Sequence, residues 1–218
     1  MQEINIEGVK FQPWVGKDYD KGFVLQDGKL VPCNEQNKNS VKILVLGESH
    51  YCDNTTDAEN PNLTRKIIKD YLASKEFEPY MATYIKFERA LVGELVEDKV
   101  DVWEHMAFYN YVQKAMPSPR VSPAYADFSN SETAYWNVIN QLTPDVIICL
   151  GVRLYSNIPQ CNGNDRDISF PFEDEDECVV WLYSDSNTYV IPVYHPSSAF
   201  SWEYWHKKII TIIDKYGK

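Results

Sequence analysis

The clearest pattern in the chain is Val41 to Tyr51, V-K-I-L-V-L-G-E-S-H-Y. Six residues, nearly all β-branched or aliphatic, break at Gly47 into a polar tetrad, Glu48, Ser49, His50 and Tyr51. An apolar run of this length, bounded by glycine, predicts a buried strand rather than a helix. A strand that is apolar on both faces belongs in a parallel sheet covered by helices. In open α/β sheets, ligands bind beyond the carboxyl ends of the strands. The tetrad therefore falls where such a fold keeps its site.

Two further strands of this kind follow. Val102 to Tyr109 predicts one, ending at Asn110, and Val146 to Leu150 predicts a fully buried one, ending at Gly151. Val179–Tyr183 and Tyr189–Tyr194 read as a strand pair, the second leading into His195-Pro196-Ser197-Ser198. Between them the periodicity predicts helices. One is capped by Asn62 and runs to Ser74, one spans Pro79–Val96, one Ser131–Leu142, one short piece follows Gly151, and Trp202–Tyr216 closes the chain. Asp27-Gly28 between Phe23-Val24-Leu25 and Leu30-Val31 signals a hairpin, because both turn residues tolerate positive φ. Residues 1–40 read as an extension packed on the sheet, with Phe11–Trp14 extended. Pro117, Pro119 and Pro123 force a loop that carries Arg120. Asn162–Phe172 reads as loop, and Glu173–Glu177 as a solvated charge run. The fold class expected is α/β: a three-layer α/β/α arrangement with a mostly parallel central sheet, in one domain over 1–218.

Composition narrows the function classes. The formal net charge of −11 argues against broad attraction to DNA or anionic membranes. It leaves room for a small basic rim, for which Arg120, Arg153 and Lys207-Lys208 are candidates. The chain has 15 Tyr, 6 Trp and 9 Phe; so many aromatics serve packing first and base stacking second. Among them Tyr109, Tyr111, Tyr194 and Trp202 lie near the strand ends. Five cysteines without a C-x-x-C pair suggest neither a metal site nor a disulfide framework. With no signal segment and no membrane-spanning run, the chain reads as cytoplasmic and monomeric.

Three strand ends carry polar chemistry: G-E-S-H-Y at Gly47–Tyr51, F-Y-N ending at Asn110, and H-P-S-S-A-F at His195–Phe200. In this order they resemble the uracil-DNA glycosylase superfamily. In its best-known branch the first motif reads G-Q-D-P-Y-H, a second strand ends in asparagine, and the last motif reads H-P-S-P-L-S. P-D-V-I-I-C-L-G at Pro144–Gly151 looks like the family's central strand. The resemblance covers roughly residues 41–216.

The resemblance implies roles residue by residue. Tyr51 matches the tyrosine that lies against the pyrimidine C5 edge and excludes thymine. Asn110 matches the asparagine whose amide, both donor and acceptor, reads the base edge. Tyr109 joins them as a base-stacking candidate. His195 matches the histidine that stabilises negative charge on the pyrimidine O2 as the glycosidic bond lengthens. Pro196, Ser197 and Ser198 match the turn that approaches DNA. Ala199 falls at the wedge position, and Phe200 beside it is an apolar side chain able to fill the gap left by a flipped nucleotide. One departure is marked: Ser49 stands where the family has its water-activating aspartate. Glu48, at the position of the glutamate in the family's G-E-A-P branch, and His50, replacing a proline, are the alternatives for that role, with Asp53 on the same loop. That branch's four-cysteine cluster is not recognisable.

The expected function is a monofunctional DNA glycosylase. It acts on DNA with a deaminated or modified pyrimidine, needs no cofactor or metal, and serves base-excision repair or defence against modified viral DNA. The alternative is an inactive relative that binds nucleotide, nucleic acid or protein. A hydrolase of small nucleosides is a third possibility.

Overall fold

The structure is a computed structural model and describes residues 1–119, 121–159, 166–172 and 177–216. Arg120 and most of the acidic run, 173–176, lie outside the described residues. A seven-stranded sheet has the order β1-β5-β4-β6-β9-β8-β7, with strands β1 (Trp14–Val15), β4 (Ile43–Gly47), β5 (Met106–Asn110), β6 (Val146–Leu150), β7 (Arg166–Pro171), β8 (Glu177–Tyr183) and β9 (Thr188–Val193). The four central strands β5, β4, β6 and β9 are parallel, and the outer pairings are antiparallel. A separate hairpin, β2 (Phe23–Gln26) and β3 (Lys29–Pro32), turns through Asp27 and Gly28, both at positive φ, as the Asp-Gly signal predicts.

Each central strand is buried on both faces, and the period of two splits its side chains between two cores. Ile43, Val45, Phe108, Ile148 and Leu150 face one side. There they pack against α2 (Leu63–Ala73), α3 (Met81–Val92), α4 (Lys99–Glu104) and α8 (Trp202–Tyr216). Leu44, Leu46, Tyr109, Ile147 and Cys149 face the other side. Their partners include α5 (Tyr125–Ser129), α6 (Glu132–Leu142) and α7 (Val152–Tyr155). The architecture is thus a mixed α/β sheet between two helical layers. No helix among the described residues is long and apolar enough to cross a membrane.

Several expectations need correction. The strand predicted from Val102 begins only at Met106. Asp98 accepts a hydrogen bond from the Asp101 N–H at 3.1 Å and caps α4, which takes Val102 and Trp103. The helix predicted to reach Val96 stops at Gly93, whose φ of 94° ends α3 in the left-handed region and leaves Leu95 exposed. Asn62 sits at the start of α2 but its side chain does not cap; its Oδ1 accepts from Arg65 Nη1 at 3.0 Å. The stretch read as loop to Phe172 contains β7. The polar loop after the tetrad holds a four-residue helix, α1 (Thr55–Ala58), capped by Asn54. The N-terminal extension contributes β1, so it joins the sheet edge as well as packing on it.

Candidate functional site

Parallel register brings the predicted strand ends together. Gly47 pairs with Asn110 across β4 and β5, and Leu150 pairs with Val193 across β6 and β9. The polar loops after these strands then open on one side of the sheet edge. Beyond that edge lies a cavity of about 1070 Å³. Glu48, Ser49, His50, Tyr51, Asn110, His195, Ser197 and Ser198 all contribute to its wall. In the central order β5-β4-β6-β9, the chain runs outward from β4 to β5 on one side and from β6 to β9 on the other, so the crevice between β4 and β6 is the topological switch point.

The Gly47–Cys52 segment is fixed by its backbone. Tyr111 and Val112 donate their N–H groups to the Gly47 and Glu48 carbonyls at 2.9 and 2.8 Å. Met116 donates to the His50 carbonyl at 2.8 Å, and Cys52 donates to the Met116 carbonyl at 2.9 Å. A loop tied at both edges in this way holds its side chains in place before any ligand arrives.

Glu48 spans the switch point. Arg153 at the start of α7 grips its carboxylate with two nitrogens, Nε to Oε1 at 2.7 Å and Nη2 to Oε2, and also reaches Ser122 Oγ. This fork fixes the carboxylate at the cavity wall. Ser49, next along, has a buried hydroxyl with no hydrogen-bond partner among the described residues. Tyr51 is 45% exposed at the cavity wall and bridges to Met116.

His50 is buried. Its Nε2 lies 2.8 Å from Thr64 Oγ1, and Phe11 meets its ring edge-on at 5.1 Å. Burial pulls its pKa down to about 4. The ring is buried with both nitrogens against Thr64 and Asn110, whereas the Glu48 carboxylate stands at the cavity wall, so Glu48 is the better placed of the two alternatives for holding a water. Asn110 is also buried, and its Nδ2 lies 3.1 Å from both nitrogens of the His50 ring.

His195 follows β9. Its Nδ1 lies 2.7 Å from Ser197 Oγ and 3.2 Å from the Ser197 backbone nitrogen. A backbone N–H only donates, so Nδ1 is an acceptor and the neutral ring carries its proton on Nε2. The residue keeps more than a third of its surface, yet its ring is set among protein atoms. That burial is the largest influence on its pKa and lowers it; Glu48 opposes the shift and Arg153 adds to it. The turn beyond is held by Lys86 Nζ donating to the Pro196 carbonyl at 3.1 Å and by Ser198 closing onto the His195 carbonyl at 2.9 Å.

Three predicted site residues are placed elsewhere. Tyr109 is fully buried in the opposite core, because it alternates with Phe108 and Asn110 on β5; it cannot stack on a ligand in this cavity. Pro196 is buried and Phe200 is half-buried against the core, stacked on Trp205 at 6.5 Å, so neither is displayed for DNA. Tyr111 lies in the same far core as Tyr109.

The cavity has a second end that the motifs do not announce. It is lined by Ile67 and Asp70 from α2, Glu78 and Tyr80 from the loop before α3, and Tyr84 from α3, and Lys66 beside it pairs with Asp57 at 3.0 Å. Phe108 also lines the cavity. Its place two residues before Asn110 on a strand was a signal that both share a face. No protein-family model matches this chain, and no curated protein matches it.

Proposed function

We propose that the chain is a monofunctional DNA glycosylase that hydrolyses the N-glycosidic bond of an extruded pyrimidine, either uracil or a modified base. The observation that carries the reading is the shared cavity. Asn110, an amide able to read a base edge, and His195, an imidazole with its proton on Nε2, line one hollow at the carboxyl ends of parallel strands.

The chemistry follows from those positions. As the C1′–N bond lengthens, its electron pair moves onto the base and negative charge gathers on the pyrimidine O2. The Nε2–H of His195 donates a hydrogen bond to that oxygen, and a fixed donor of this kind contributes about 3 kcal/mol at the transition state. The sugar develops positive charge at C1′, and water adds there. Glu48, clamped by Arg153, takes the proton of that water. Tyr51 and Phe108 flank the base. A cavity of about 1070 Å³ leaves room for substituents on the ring. That space favours a modified pyrimidine, and with it a role in defence against modified viral DNA beside base-excision repair.

A second reading is a non-catalytic relative that binds a nucleotide, nucleic acid or protein. Ser49 favours it, because no carboxylate stands at the family's water-activating position. Duplexes bearing uracil, hypoxanthine, hydroxymethylcytosine or its glucosylated form, treated with the protein and then with alkali, separate the two. Strand breaks that vanish in His195→Ala and Asn110→Ala support the glycosylase. Binding without breaks on every duplex supports the second reading.

A further inference from the structure

We infer that His50 is a specificity-determining positioning residue: it fixes which way round the Asn110 amide sits, and so whether the cavity accepts a uracil-type or a cytosine-type base edge. The inference rests on the reading of the cavity as a nucleobase site.

The geometry is unusual for an amide and an imidazole. Asn110 Nδ2 is equally distant, 3.1 Å, from both His50 ring nitrogens. A point equidistant from both lies on the plane that bisects the line between them. Within the ring plane that locus runs into Cε1, well inside contact distance. The amide nitrogen therefore lies over the face of the ring, within reach of an N–H···π contact. A neutral ring attracts an N–H there and repels a carbonyl oxygen. At the other end of the amide, Oδ1 rests against Gly47, where a Cβ would lie 2.2 Å away. Oδ1 takes no hydrogen bond from the described residues, and Asn110 lines the cavity.

The ring in turn cannot swing. Thr64, fully buried, holds Nε2, and Phe11 blocks the ring edge. Phe11 and Thr64 come from two separate segments, and both bear on the ring that meets the amide.

The consequence is chemical selection. The uracil edge presents an N3–H donor beside an O4 acceptor; the cytosine edge presents an N3 acceptor beside an N4–H donor. One orientation of an asparagine amide pairs with one of these patterns and opposes the other. Substituents at C5 leave this edge unchanged, so the selection applies equally to modified bases. Were the amide free to rotate, it would serve both edges. The His50 ring face removes that freedom.

The test uses two variants, His50→Leu, which removes the π face, and His50→Phe, which keeps it. The first readout is the side-chain amide of Asn110 in the 15N-labelled full chain, assigned by its loss in Asn110→Asp. A proton over a ring face is shifted upfield. That shift is expected in the wild type and in His50→Phe, and is lost in His50→Leu. The second readout is discrimination between uracil and cytosine. It is measured by base release from oligonucleotides and, independently, by titration of the free bases. The preference is expected to fall about tenfold or more in His50→Leu and to survive in His50→Phe. A wild-type amide without the upfield shift overturns the geometry. A preference unchanged in His50→Leu, or no binding of either free base, overturns the role in selection. Binding discrimination without base release sinks the glycosylase reading and leaves this one standing.

Discussion

The Cβ that Gly47 lacks would lie 2.2 Å from Oδ1 of Asn110 and 3.0 Å from the Phe108 ring. Gly47 thus gives space to the amide beside it in the sheet, and the parallel register between β4 and β5 is what brings them side by side. Gly47→Ala is predicted to displace the Asn110 side chain and to destabilise the protein by about 1–3 kcal/mol, the usual cost of overpacking a tight interior. Base release should fall much further than stability does. Urea unfolding and an activity assay on the same preparation check both. A variant with wild-type release would show that Asn110 need not hold its place.

The Glu48–Arg153 fork invites a separation of stability from chemistry. Arg153 is half exposed but the Glu48 side chain keeps only 11% of its surface, so Arg153→Met leaves a shielded carboxylate without its cation and should lower unfolding free energy by about 1–3 kcal/mol. Glu48→Gln keeps the shape and removes the proposed base. It is predicted to lower kcat by about 10²–10⁴-fold, with little change in substrate affinity. Single-turnover kinetics and a binding titration distinguish this from a role in binding.

Much of this arrangement is written in the local pattern. β4 and β6 are legible because each is an unbroken apolar run ended by glycine, and α8 because its apolar stripe is long. The start of β5 is not, because Val102 and Trp103 suit a strand as well as they suit the buried face of α4; the cap at Asp98 decides between them. The end of α3 turns on one glycine conformation. At the site, Asn110 and His195 are legible as strand-end residues. Tyr109 misleads, because an aromatic beside Asn110 in sequence is on the opposite face in space. The Arg153 clamp and the Tyr80–Tyr84 end of the cavity are invisible locally, since they depend on which loops the sheet order places next to each other.

Tyr109 offers a clean control. Its hydroxyl is buried without a hydrogen-bond partner among the described residues, and a buried unpaired polar group costs about 1–3 kcal/mol. Tyr109→Phe removes that group and keeps the ring. It is predicted to stabilise the protein by about 1 kcal/mol and to leave base release unchanged. A loss of release at full stability would return Tyr109 to the site. Thermal unfolding and the alkali-cleavage assay together decide.

His195 and His50 predict opposite kinds of acid sensitivity, one in rate and one in stability. In the proposed mechanism the His195 ring acts as a neutral donor, and its lowered pKa carries that form below the ordinary histidine range, so the acid limb of kcat/KM that reports its protonation should fall below about pH 6.5. For His50 the folded pKa is about 4, against about 6.5 in an unfolded chain. Between these values the unfolded state binds more protons, so stability falls as pH drops through that window. Above it the ring is neutral in both states and contributes no pH dependence. At its lower end the accumulated loss is roughly 3 kcal/mol. His50→Phe removes this titration. From about pH 7 to about pH 4 the wild type should therefore lose roughly 3 kcal/mol more unfolding free energy than the variant, measured by urea unfolding. Parallel losses in the two proteins would show that the ring beneath Asn110 is not held neutral by the fold.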